Sequence, residues 1–210
     1  MRRISRIVGG IALAVGIATG AQAGVIFSDN FDGVADGNEG RSRMSDLNWL
    51  GDDNWSIFDG TVDIVYNSDY SINCLGDDGN CVDLDGSTGK AGGLQTAALA
   101  LAPGSYTLEF WLSGNQRTRS GDKVIVALGD LFSKEIEVEG NQSWTRYSFE
   151  ITVTDATSAS LRISGVGGDN IGALLDQVSL STEVPEPPFL ILFMLGIGLL
   201  VFAVRRRRIV

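Results

Sequence analysis

The 210-residue chain contains no histidine and only two cysteines. Histidine is the side chain that titrates nearest neutral pH, so its absence removes the commonest general base and the commonest transition-metal ligand. Nucleophilic schemes that pair serine or cysteine with histidine are excluded. Proline is scarce as well: Pro103 stands alone, and the other three, Pro185, Pro187 and Pro188, crowd together near the end. Positive charge is the third shortage. The chain has 16 Lys and Arg against 26 Asp and Glu, a net of −10, and seven of the basic residues lie within the first six and last six positions. Between Gly24 and Glu183 the count is 9 against 25, a net of −16. A field of that sign repels nucleic acid and anionic lipid surfaces and attracts divalent cations, so no nucleic-acid partner is expected.

Long apolar runs are confined to the two ends. Arg2, Arg3 and Arg6 precede an apolar stretch from Ile7 to Ile17, and Ala21-Gln22-Ala23 supplies a small-x-small cleavage site. Residues 1–23 therefore read as a signal peptide for export across the inner membrane. At the other end, residues 184–210 fall into three parts. Pro185-Glu186-Pro187 is a stiff, extended motif, because proline fixes φ and cannot donate to a ladder. Residues 188–204 are uncharged and long enough, at about 1.5 Å per residue, for a short transmembrane helix. Arg205, Arg206, Arg207 and Arg208 form a basic stop that stays cytoplasmic, leaving residues before Pro185 outside. Between the two ends lies a single domain, residues 24–183.

The tripartite tail resembles the PEP-CTERM sorting signal. The resemblance implies processing by exosortase, a membrane-embedded, cysteine protease-like enzyme of Gram-negative bacteria that make exopolysaccharide. It further implies transient anchoring with the domain in the periplasm, then release to the cell surface or extracellular matrix.

Within the domain the hydrophobic period is two. Tyr106, Leu108, Phe110 and Leu112 share one face against Thr107, Glu109 and Ser113, with Trp111 breaking the polar side. Val124, Val126 and Leu128 repeat the rule, as do Ile136 and Val138, then Tyr147, Phe149, Ile151 and Val153, then Leu161 and Ile163. Each run predicts an antiparallel strand with one wet face. Turn signals such as Pro103-Gly104, Gly121-Asp122 and Gly140-Asn141 separate them. The expected fold is an all-β antiparallel sandwich of jelly-roll type. Cys74 and Cys81 flank the hydrophilic loop LGDDGN. In an exported chain they predict a disulfide, worth about 2.5 kcal/mol in the loop-entropy account.

Thirteen aspartates fall between Asp29 and Asp85. Most suit turns and solubility; a subset can converge on calcium, which takes six to eight hard oxygen ligands. No EF-hand spacing is present. The segments Phe27-Ser-Asp-Asn-Phe-Asp-Gly33, Val82-Asp-Leu-Asp-Gly-Ser-Thr-Gly89 and Gly168-Asp-Asn to Leu-Leu-Asp-Gln-Val-Ser-Leu180 look like galactose-binding-like jelly rolls, the fold of many carbohydrate-binding modules. The resemblance implies paired first and last strands and a structural calcium on Asp32 and Asp176. Asp29 and the Asp169-Asn170 turn are secondary candidates.

Sugar-binding surfaces stack exposed rings on pyranose faces and add amide and carboxylate hydrogen bonds. Trp49, Tyr66, Tyr70 and Trp111 are the ring candidates, with Asn115, Gln116 and Arg117 beside the last. Trp55 and Phe58 are expected in the core. Asp83 and Asp85, two apart on a strand end expected to be solvated, are the one carboxylate pair that merits comparison with a glycosidase; nothing beside them marks a cleft, and turn or metal roles suit them better. The leading expectation is a non-catalytic exported protein with a structural role in an exopolysaccharide matrix or biofilm. A glycan-binding module is the alternative, ahead of a calcium-bridged adhesion protein or a glycoside hydrolase.

Overall fold

The computed structural model describes residues 24–33, 54–86 and 89–182. In chain order the strands are β1 (Val25–Asp29), β2 (Trp55–Phe58), β3 (Asp63–Tyr66), β4 (Asn80–Asp83), β5 (Gly93–Thr96), β6 (Leu99–Leu101) and β7 (Gly104–Ser113). They continue with β8 (Asp122–Leu128), β9 (Phe132–Val138), β10 (Thr145–Val153), β11 (Thr157–Ala159), β12 (Leu161–Val166) and β13 (Leu174–Thr182). All five runs picked out by alternation are strands, because each buries one face and wets the other. The signal peptide, Trp49, the Pro185-Glu186-Pro187 motif, the 188–204 span and the arginine block lie outside the described residues. Among the described residues, no helix is long and apolar enough to cross a membrane.

Two antiparallel sheets face one another. The larger runs β10-β7-β13-β4-β3, and the second edge of β13 is shared, its start pairing with β4 and its end with β1. The smaller runs β2-β5-β12-β8-β9. A short β6–β11 ribbon lies apart from both sheets, and its Leu101 and Ala159 reach into the core. The chain repeatedly switches sheets, as a jelly roll does, and its first and last strands pair as expected. The core is built from the inward residues of both sheets, with Leu108, Phe110 and Leu112 of β7 facing Val124 and Val126 of β8 and Leu161 and Ile163 of β12, all fully buried. Phe110 stacks with Tyr147 at 5.7 Å and Phe149 at 6.0 Å. Trp55 packs edge-on to Phe27 and alongside Phe31, which places it in the core as expected; Phe58 is only half-buried, with the Arg162 guanidinium 4.0 Å from its ring centre.

A second, smaller core lies on the opposite, outer face of the large sheet. Val65, Cys81 and Leu174 point outward from β3, β4 and β13, and Ile72, Cys74 and Trp144 close over them. The covering segment, residues 67–79, makes two short 3₁₀ turns and is stapled by the Cys74–Cys81 disulfide. Three polar bonds pin it to the sheet. The Trp144 indole N–H and the Gln116 amide both donate to the Asn73 carbonyl, and the Asn73 N–H donates back to Gln116 Oε1. Gln116 is therefore a loop clamp rather than a sugar contact.

Candidate functional site

Beyond the cover, the outer face of the large sheet is open. Alternation along β7 sends Glu109 and Trp111 to this side, and the antiparallel register sets Arg146 of β10 opposite Trp111 and Ser148 opposite Glu109. On the other side β13 sets Asp176 opposite Trp111 and Ser179 opposite Glu109. One extra residue on β13 between those pairs makes a bulge, with Gln177 at φ 46°. Bulges of this kind re-aim side chains and bend the strand. The result is a groove of about 570 Å³ lined by Trp111, Glu109, Arg146, Gln177 and Ser179, with Ser28, Asp29, Asn30 and Asn54 at its β1 side. That volume lies within the roughly 300–1,000 Å³ of ordinary ligand sites. Arg146 pairs with Glu109, which also accepts from the Ser148 hydroxyl, so the Glu109 charge beside Trp111 is balanced, while Asp29 remains as a carboxylate on the β1 side.

Of the expected ring residues among those described, Trp111 is the one that lines this groove. Tyr70 is half exposed on the covering loop and is absent from the lining. Tyr66 packs against the main core, so its expected place as a binding ring gives way to a structural one. Asn115 is fully buried. It donates to the Ser120 carbonyl and Asp122 and accepts from the N–H groups of Arg117 and Thr118, which makes it the organiser of the 114–121 loop. Arg117 is turned inward onto Asp83.

At the edge of the groove the charges of Asp29 and Asp32 act on Asp176. Asp29 accepts from the Phe31 N–H at 2.8 Å and from the Trp55 indole N–H at 2.9 Å. Asp32 accepts from the Asn80 N–H at 2.8 Å and from the Asn30 amide. Asp176, 3% exposed, accepts from Leu75 N–H at 3.2 Å and Gln177 N–H at 2.7 Å. Burial pushes the Asp176 carboxyl up to about 7; those two N–H groups oppose the rise and the charges of Asp32 and Asp29 add to it. Gly79 makes the approach feasible: its φ is +60°, and a Cβ there would lie 1.8 Å from Asp32 Oδ1. Asp169 belongs elsewhere. Its charge acts on Asp85 and Asp122, so it does not serve the Asp32–Asp176 cluster. Among the described residues, no three acidic or cysteine side chains close into a ready-made metal cage.

Asp83 and Asp85 also differ from expectation. The strand end that carries them is buried, at 1% and 2% exposure, beneath the 114–121 and 167–172 loops. Neither lines the groove, so this pair does not have the cleft-flanking placement the glycosidase comparison requires.

With the sandwich and groove established, comparison with known proteins adds the following. Residues 183–208 match the PEP-CTERM protein-sorting motif. The chain thus carries a sorting signal of the kind read by exosortase and is a secreted protein sorted at the membrane. No curated protein matches it. Among solved structures, the K1 cleaved adhesin domain of Lys-gingipain from Porphyromonas gingivalis W83 is 13% identical, with 78% of this chain and 99% of that one covered at a TM-score of 0.49. TmCBM61, solved in complex with β-1,4-galactotriose, is 20% identical over 61% of this chain and 88% of that one, TM-score 0.47. A family 35 carbohydrate-binding module from Clostridium thermocellum is 14% identical over 60% and 90%, TM-score 0.39.

Proposed function

We propose that this is a non-catalytic, exported glycan-binding protein whose ligand is a neutral oligosaccharide segment of the extracellular matrix, held in the Trp111 groove. The observation that supports the reading is a half-buried indole on the otherwise polar outer face of a rigid sheet. It sits between the Arg146–Glu109 ion pair and the amide and hydroxyl side chains of Gln177, Ser179, Ser28 and Asn54, with the Asp29 carboxylate on the β1 side. An aromatic face takes the apolar side of a pyranose, and fixed amides and hydroxyls orient its hydroxyl groups. Anionic chains are disfavoured by the net charge of the domain. After exosortase processing at the tail, the domain is delivered to the cell surface or matrix, where such a groove anchors it.

Asp32 and Asp176, with Asp29 in support, are the residues that would hold a structural calcium beside the groove. The fit rests on an all-oxygen donor set and on an almost fully buried Asp176 carboxylate with two further carboxylates as neighbours. Water and backbone carbonyls would complete the shell. Its chemistry would be structural, neutralising charge and tying β1 to β13.

The test is a panel of neutral and anionic oligosaccharides probed with wild type and Trp111→Ala. The expected result is binding to neutral members and at least a tenfold loss in the variant. Binding that survives Trp111→Ala unchanged, or a panel on which only anionic chains bind, contradicts the reading.

A further inference from the structure

The deepest charge imbalance in the described structure lies away from both the groove and the Asp32–Asp176 cluster. Asp83 and Asp85 from the end of β4, Asp122 from the start of β8, Asp169 from the 167–172 loop and Asp63 from β3 influence one another here. Arg117 is the cation that faces them, and it is committed to Asp83 at 2.5 Å. Asp83 is further satisfied by the N–H groups of Asp85 and Gly172. Asp122 accepts from Asn115, and Asp169 from the Ile171 N–H. Asp85 differs from all of these. Its carboxyl is 2% exposed, and neither of its oxygens receives a hydrogen bond from any donor. It faces the Asp169 carboxyl within hydrogen-bonding reach, acceptor against acceptor. The backbone is shaped around it: a Cβ on Gly167 would lie 2.2 Å from Asp85 Oδ2, and one on Gly172 would lie 2.6 Å from Asp85 Cβ.

Buried carboxylates are paired, protonated or bound to metal. Arg117 gives its ion pair to Asp83 and makes no hydrogen bond to Asp85, although its Nε is left without a partner among the described residues. One proton shared between Asp85 and Asp169 would still leave Asp122 with only the Asn115 amide and the charge of Arg117, which Asp83 already shares, to set against it. We propose that Asp85 and Asp169 hold a divalent cation of the calcium type, with Asp122 beside it, at a site separate from Asp32 and Asp176. Hard carboxylate oxygens and the absence of histidine and free thiol suit calcium over the softer transition metals. Since the side chains alone do not form a closed cage, water and nearby backbone carbonyls supply the remaining ligands. The ion would tie the 167–172 loop to the end of β4.

The experiment is a count of calcium equivalents in the full chain, kept in mild detergent, by titration calorimetry with calcium chloride and by native mass spectrometry. Wild type is expected to bind two. Asp85→Asn and Asp169→Asn are each expected to bind one, or to bind the second at least tenfold more weakly. Asp176→Asn is expected to lose the other equivalent. Asp169 is exposed, so its variant keeps the test valid if the buried Asp85→Asn fails to fold, with near-ultraviolet circular dichroism as the check on folding. A wild-type count of one that Asp176→Asn abolishes, and that neither Asp85→Asn nor Asp169→Asn changes, overturns this site while leaving the Asp32–Asp176 reading intact. A count of one lost in Asp169→Asn but kept in Asp176→Asn supports this site and removes the other.

Discussion

The outer face of the large sheet is treated in two ways along its length. Near Leu174 it is sealed by a disulfide-stapled loop with a small apolar core; near Ser179 the same strand, one bulge later, lies open beneath Trp111, Arg146 and Glu109. Asp176 stands at the junction, buried by the cover on one side and bordered by Asp32 and Asp29 on the other. The difference shows how a sandwich can reserve one part of a sheet for stability and another for contact, with a single bulge and a change of neighbouring strand between them. The cover spends residues 67–79 on packing. Leaving the rest bare keeps an aromatic ring half wet on a polar face, which is the contrast the glycan-binding proposal rests on.

Three variants sharpen that contrast, in decreasing order of effect. Leu174→Ala removes a fully buried side chain from the small core and is expected to cost about 2–5 kcal/mol in denaturant unfolding. Replacing Cys74 and Cys81 together by serine is expected to cost about 2.5 kcal/mol, because the loop regains its unfolded-state entropy. If either change left stability within a few tenths of a kcal/mol, the cover would be ornament rather than structure. Arg146→Ala, at the open end, breaks an exposed ion pair and is expected to cost under about 1 kcal/mol of stability. Its effect should instead appear in glycan affinity, since Glu109 is then left unpaired beside Trp111. Equal stability losses at both ends would erase the distinction.

How much of this could be read from the chain depended on how many faces of each strand are covered. Strands β7 to β10 and β12 bury one face, so their alternation was plain, and Trp111 was visible as the one ring on the polar side. β3 and β4 are covered on both faces, by the main core and by the small one, and therefore show no alternation at all. β5, β6 and β11 are too short to display a period. The Asp83-Leu-Asp85 segment reads locally like any turn. Its burial is imposed by the loops carrying Arg117 and Gly172, which lie far away in sequence, and no local pattern records that. Tyr66 was misplaced as a surface ring because the polar run that follows it, Asn67-Ser68-Asp69, suggested exposure while the ring packs against the core. The pairing of the first and last strands, by contrast, was legible from the opening and closing segments, and β1 does pair with β13.

The central claim is that the open end of this face, and no other surface, takes a neutral glycan. Backbone amide shifts measured by NMR while titrating the best-binding neutral oligosaccharide from the panel test it most directly. The account predicts the largest shifts at Ser28, Trp111, Arg146, Gln177 and Ser179, with the β8 and β12 residues Ile125 and Arg162 of the other sheet unmoved. Shifts centred on the small sheet or on the 67–79 cover, with Trp111 and Ser179 silent, would contradict it.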